Sequence, residues 1–389
     1  MEDIAELGEV LEKATNLRSL TLSSYTGYLP FEPRATAALS TLTSLTHLDL
    51  NVVYSPVLQA LRNLHLLQSL TLRRIWDSPT LSADLSRLLA SSADTLTEVS
   101  LMKHLRSADD RNDEPLITLE GCVCPHVHKL SLEDILISTK SFVHAFPGLR
   151  KLSWDHLREG HAGEHLSQEE YSYWPQLRSL TGSLAAINAL ARFHPVQFIG
   201  VSDRIDHGDK LSILLGVLQS CPSVKGLFIS LDLNGAIFNW VCANLGFAAP
   251  QLRSLTMFVE FRPDEPGQTV IESLAGSYAV HNLAVLRQLQ QLSIRVDDPY
   301  IRSTNGIQTR FNEKVVVDML NVLPSVLDMK LTLSSLESGM EAKHRRVRPG
   351  SDSRKIQTES HTFSASDPAM TSRTQALAIS ERESAQFFL

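Results

Sequence analysis

A leucine triad, leucine-x-x-leucine-x-leucine, recurs about a dozen times at a mean step of about 28 residues, a period that few folds accept. Intact copies stand at Leu17/Leu20/Leu22, Leu45/Leu48/Leu50 and Leu67/Leu70/Leu72. Copies with other apolar residues follow at Leu96/Val99/Leu101, Val127/Leu130/Leu132, Leu149/Leu152/Trp154, Val224/Leu227/Ile229, Leu252/Leu255/Met257, Leu289/Leu292/Ile294 and Val326/Met329/Leu331. Two copies are degraded: Leu177/Leu180 closes on Gly182, and Val196/Ile199/Val201 is a weak match.

Side chains alternate faces along a strand, so the second and third apolar residues of a triad point one way and the residue between them the other. That middle residue is Thr21, Asp49, Thr71, Ser100, Ser131, Ser153, Thr181, Thr256, Ser293 or Lys330, with Gly200 and Phe228 at the remaining two. One such strand cannot bury its leucines alone. Stacking successive repeats gives a continuous core under a parallel sheet, with the hydroxyl-rich row on its open, concave side. Apolar residues at helical spacing fill several gaps, as in Leu81, Leu85, Leu88 and Leu89, and in Val315, Met319, Leu320 and Leu323. Pro125, Pro147, Pro175, Pro222, Pro250 and Pro324 each lie two residues before a triad, where proline ends the preceding helix and turns the chain toward the next strand.

With these triads the chain resembles the leucine-rich-repeat family over residues 1–335, and its proline-x-leucine phase resembles the irregular repeats that follow F-box domains in many fungal proteins. The resemblance implies an α/β leucine-rich-repeat solenoid, a horseshoe of 11–12 irregular repeats with a concave parallel sheet and convex helices. It also implies a protein-binding scaffold, in its specific form the substrate receptor of a cullin-type ubiquitin ligase. One departure stands out. The asparagine or cysteine expected three residues after the triad is absent from the first three repeats, where Tyr25, Val53 and Ile75 stand.

The ends add two expectations. Ile4, Leu7 and Leu11 repeat at helical spacing and run straight into the first triad, so the chain is expected to open on a convex helix, with no room for an F-box before Leu17. From residue 336 the pattern stops in favour of Ser, Thr, Arg and Gln, which predicts a disordered tail, with a short helix over 376–388. The tail carries a basic cluster, Lys343, His344, Arg345, Arg346 and Arg348, that reads as a solvated segment or a nuclear-import signal.

A net charge of −7 gives no basic face for nucleic acid, and no apolar run is long enough to span a bilayer. Four cysteines without flanking clusters, and no Asn-x-Ser/Thr sequon, favour an intracellular, reducing location, cytoplasmic or nuclear. His161, Glu164 and His165 read as H-x-x-E-H, a spacing used by zinc peptidases, but Gly160 and Gly163 interrupt the helix that chemistry requires. A zinc-dependent hydrolase is therefore the third reading only. Cys122, Cys124, His126 and His128 alternate along the chain, yet consecutive same-face positions spread too far to converge on one metal, so they read as core cysteines ahead of a strand. No cofactor, metal or catalytic residue is assigned.

Partner contacts are expected instead on the loops after the strands. Asp109, Asp110, Asp113 and Glu114, then Asp203 and Asp206, Asp264 and Glu265, and Asp297 and Asp298 place acidic groups on one rim. A protein with a basic surface is the partner this rim would attract, whether as a ligase substrate or in ubiquitin-independent binding by an inhibitor module. Phe228 and Phe258, in adjacent repeats on the outward face, serve as interface anchors if exposed, or are covered by the tail or a loop.

Overall fold

The computed structural model describes residues 2–22, 33–76, 78–103, 117–155, 174–233, 235–261, 281–297, 319–334, 338–346 and 356–364. It divides into two compact units, Met1–Leu180 and Thr181–Leu389. In the first, six strands lie side by side in chain order, all parallel: β1 (Ser19–Leu22), β2 (His47–Val53), β3 (Ser69–Ile75), β4 (Glu98–Lys103), β5 (Lys129–Glu133) and β6 (Lys151–Asp155). The helices between them are α1 (Glu2–Lys13), α2 (Pro33–Leu39), α3 (Ser55–Leu61), α4 (Leu81–Ser91) and α5 (Thr139–Ala145). A short strand, β7 (Ser179–Gly182), falls across the boundary between the units.

The triads set the register. Leu20, Leu48, Leu70, Val99, Leu130 and Leu152 oppose one another strand by strand, as do Leu22, Leu50, Leu72, Leu101, Leu132 and Trp154. All but Leu22 are buried. Each such side chain contributes about 1.5–3 kcal/mol by leaving water. A slip of one residue would turn both columns to solvent, so the register is tightly held.

The second unit repeats the plan with β8 (Phe198–Ile205), β9 (Gly226–Leu233), β10 (Ser254–Phe261), β11 (Gln291–Asp297) and β12 (Asp328–Ser334), again parallel and in chain order. Ile199, Leu227, Leu255, Leu292 and Met329 form its aligned column. Its helices are α6 (Leu184–Leu190), α7 (Gly208–Ser220) and α8 (Gly235–Ala248), and residues 319–322 are also helical. Parallel strands in chain order, joined by helices and registered on the triads, make each unit an α/β leucine-rich-repeat solenoid.

The six prolines share one geometry. Each occupies the second position of a turn closed by a hydrogen bond from the amide of the triad's first residue: Val127 to Cys124 O (3.3 Å), Leu149 to Phe146 O (3.3 Å), Leu177 to Trp174 O (3.0 Å), Val224 to Cys221 O (3.2 Å), Leu252 to Ala249 O (3.1 Å) and Val326 to Leu323 O (3.2 Å). Proline's fixed φ suits that position, and its missing amide forfeits nothing there.

The far end of the strands also has a common device. Val52 (φ 67°), Arg74 (φ 50°) and Asp134 (φ 55°) each lie two residues past a triad and adopt the left-handed conformation. Val53 and Ile75, at the position expected to carry asparagine or cysteine, are paired across β2 and β3 and fully buried. Apolar packing thus replaces a polar ladder at this corner. The pairing of β3 with β4 slips between Leu72 and Ile75.

Two strands fall within residues 336–389, where the sequence predicts a disordered tail. β13 (Ser338–Arg346) pairs antiparallel with β12, and β14 (Ile356–Ser364) pairs antiparallel with β13. The physical reason is the free edge of β12, whose unpaired amides and carbonyls template any extended segment within reach. Only residues 335–337 separate β12 from β13, which forces the strand to return antiparallel. The basic cluster falls on this hairpin, with Lys343 opposite Lys330 and Arg345 opposite Asp328, while Arg348 lies outside the described residues.

Candidate interaction face

With helices packed on one side of the sheet, the other side of the first unit carries three parallel columns of mostly polar residues. The outermost runs Ser19, His47, Ser69, Glu98, Lys129, Lys151, and the central one Thr21, Asp49, Thr71, Ser100, Ser131, Ser153. The third includes Asn51 and Arg73, then Met102, Glu133 and Asp155. Ser100, Ser131 and Ser153 are half-buried, forming a low floor between longer side chains. Arg73 pairs with Asp49 across neighbouring strands (3.0 Å), and Lys129 with Glu98 (3.3 Å). These are exposed pairs worth about 1 kcal/mol or less, so a partner's charges can replace them at small cost.

The same side of the second unit is closed. Phe198, Phe228 and Phe258 form a cluster at 5%, 1% and 5% exposure. Phe198 opposes Gly226, Phe228 lies two residues further on β9 and opposes Thr256, and Phe258 lies two residues beyond that. The three rings therefore run diagonally, one strand over and two residues along at each step, within reach of one another. Gly226 and Gly200 stand directly opposite Phe198 and Phe228 and leave room for the rings; a Cβ on Gly226 would meet the Phe198 ring at 2.7 Å.

Phe228 and Phe258 are thus corrected as exposed anchors: the glycines opposite them let the rings fold down among themselves. The Arg295 guanidinium covers the Phe258 ring at 5.2 Å, a cation–π contact. Beside the rings, Arg204 spans two strands to pair with Asp232 (3.1 Å) and Glu260 (2.8 Å). Sequence reasoning missed Arg204, Asp232, Glu260 and Arg295. Their shared strand phase was the available signal.

Of the acidic loop residues, Asp203 accepts a hydrogen bond from the Leu184 amide (2.5 Å) at the start of α6, next to the Ser183 cap, whose Oγ accepts from Ala186 N (3.3 Å). Asp206 pairs with His207 and with Lys210 (3.1 Å) ahead of α7; burial acts to raise its carboxyl pKa, but Lys210 outweighs it and holds the group below the usual range. Both carboxylates are engaged within the fold. Asp297 closes β11 opposite Glu260 and Ser334. Asp109, Asp110, Asp113, Glu114, Asp264, Glu265 and Asp298 lie outside the described residues, as do His161, Glu164, His165 and residues 376–388.

Cys122 and Cys124 are buried ahead of β5, with His126 exposed and His128 half-buried. Among the described residues, no three His, Cys, Asp or Glu side chains group to hold a metal, and no helix is long and apolar enough to cross a membrane.

Neither a family model nor a curated protein matches the chain. Among solved structures, an internalin (InlF) from Listeria monocytogenes is similar at 15% identity and a TM-score of 0.35, covering 84% of this chain and 88% of its own.

Proposed function

We propose that the chain is a non-catalytic protein-interaction scaffold whose docking face is the helix-free side of the first unit. The observation that carries this reading is the contrast between the two units: a half-exposed floor of serines and threonines between replaceable ion pairs in one, a closed aromatic and ionic surface in the other. A low polar floor with long charged walls suits a polar protein surface better than a small apolar ligand. The acidic residues that follow the strands in sequence, Asp109, Asp110, Asp113 and Glu114 in the first unit, favour a partner with a basic surface, as Asp264, Glu265, Asp297 and Asp298 do in the second.

Two versions of this role differ in their readout. As the substrate receptor of a cullin-type ubiquitin ligase, suggested by the F-box-associated repeat pattern, the full-length protein would co-purify with the ligase adaptor. As a ubiquitin-independent binding or inhibitor module it would not. The docking face is tested with the partner recovered on the immobilised chain. Replacing Ser100 and Ser131 by tryptophan is expected to weaken binding at least about tenfold with no change in melting temperature. Unchanged binding would remove the face from consideration, and an unchanged salt dependence after Asp109, Asp110 and Asp113 become lysine would remove the acidic loops.

A further inference from the structure

We propose that Cys122 and Cys124 are a covalent modification site, a dithiol that hydrogen peroxide closes to an intramolecular disulfide at the approach to β5. Their sulfurs stand 3.6 Å apart in the same tripeptide, with both side chains turned inward and Val123 between them 53% exposed. A disulfide bond is about 2.0 Å long, so the two sulfurs need only a small local adjustment to bond. Gly121, at φ 68° with open space around its Cα, supplies that freedom on one side; Pro125 and the turn it opens hold the other. The remaining cysteines offer a comparison at equal burial, 3% for Cys221 and 0% for Cys242; Cys221 gives its S–H to Ala191 O (3.1 Å) and not to another thiol.

The two sulfurs have different parts. The contact with Cys124 favours the thiolate of Cys122 and holds its pKa below the usual thiol range, while the same contact and burial push Cys124 up. The Cys122 thiolate attacks one peroxide oxygen, breaking the O–O bond; it becomes a sulfenic acid, and the departing hydroxide leaves as water with the proton that Cys122 gave up. The Cys124 sulfur then forms the S–S bond to Cys122 and displaces the hydroxyl, which takes the Cys124 proton and leaves as a second water. Two thiols give up two electrons and two protons, and one peroxide is reduced. Burial of both sulfurs excludes bulky oxidants and restricts the reagent to a small neutral one. The product removes the Cys124 thiol from Leu89 O, which it now contacts at 3.6 Å at the end of α4.

The test exposes the intact protein to hydrogen peroxide at neutral pH, alkylates the remaining thiols after denaturation, and maps the peptides. The free-thiol count is expected to fall from four to two, the peptide spanning Cys122 and Cys124 losing the mass of two hydrogens and regaining it with dithiothreitol. Cys221 and Cys242 should remain alkylated. In the Cys124→Ser variant the Cys122 sulfenic acid should persist and be trapped by dimedone. Equal alkylation of all four cysteines, or peptide-mapped oxidation of Cys122 to sulfinic acid in the unsubstituted protein, overturns the proposal without recourse to any variant.

Discussion

At the residue scale, the tightest constraint sits beneath a proline turn. A Cβ added to Gly148 would lie 2.3 Å from the Pro125 carbonyl oxygen, a backbone atom held by the turn that leads into β5. Gly148→Ala is therefore expected to destabilise the fold by roughly 1–3 kcal/mol, read as a lower urea midpoint at unchanged slope. Gly226 is a softer case, because the group it would meet is the Phe198 ring, which can tilt. That pair also marks where sequence reading fell short. Strand phase correctly put Phe228 on the outward face, but exposure depends on what stands opposite, and the glycine at position 200 becomes its neighbour only once the register is known. Asp203 shows the same gap: its acidity was plain, yet the amide it accepts from, at Leu184, is brought near only by the fold.

At the scale of elements, helices α3 and α4 are joined by a buried carboxylate. Asp84, 2% exposed, accepts hydrogen bonds from Ser55 Oγ (2.5 Å), Thr80 Oγ1 (2.8 Å) and Gln59 Nε2 (3.5 Å). Burial acts to raise its pKa, but the three donors outweigh it and leave the group below the ordinary carboxylate range. Because the folded value is the lower one, Asp84 stabilises the protein fully above the unfolded value of about 3.9 and loses that contribution as pH falls toward the folded value. Asp84→Ala should cost about 1–3 kcal/mol at neutral pH, and the difference in urea stability between variant and parent should shrink below about pH 4. Apolar spacing made α4 itself legible, with Leu81, Leu85, Leu88 and Leu89 all on its buried face. The polar joint was not, since hydrogen bonding between Ser55, Gln59 and Asp84 leaves no periodic trace.

At the scale of the whole molecule, the strand column was the most legible feature, because repetition reports the same packing solution many times over. The closing hairpin was the least legible. Composition argues against Ser338–Arg346 as a strand, and pairing to the free edge of β12 overrides it. Ending the chain after Ser334 would bare that edge, so the shortened protein is expected to self-associate in light scattering at concentrations where the parent stays dispersed. The residue-for-residue alignment of successive strands carries a last consequence, for how such a chain changes length. With no stagger to restore within β1–β6 apart from the slip after β3, an entire repeat can be excised and its neighbours meet in phase. The first unit is then a ruler graduated in whole divisions, which can gain or lose one division while every remaining mark keeps its place.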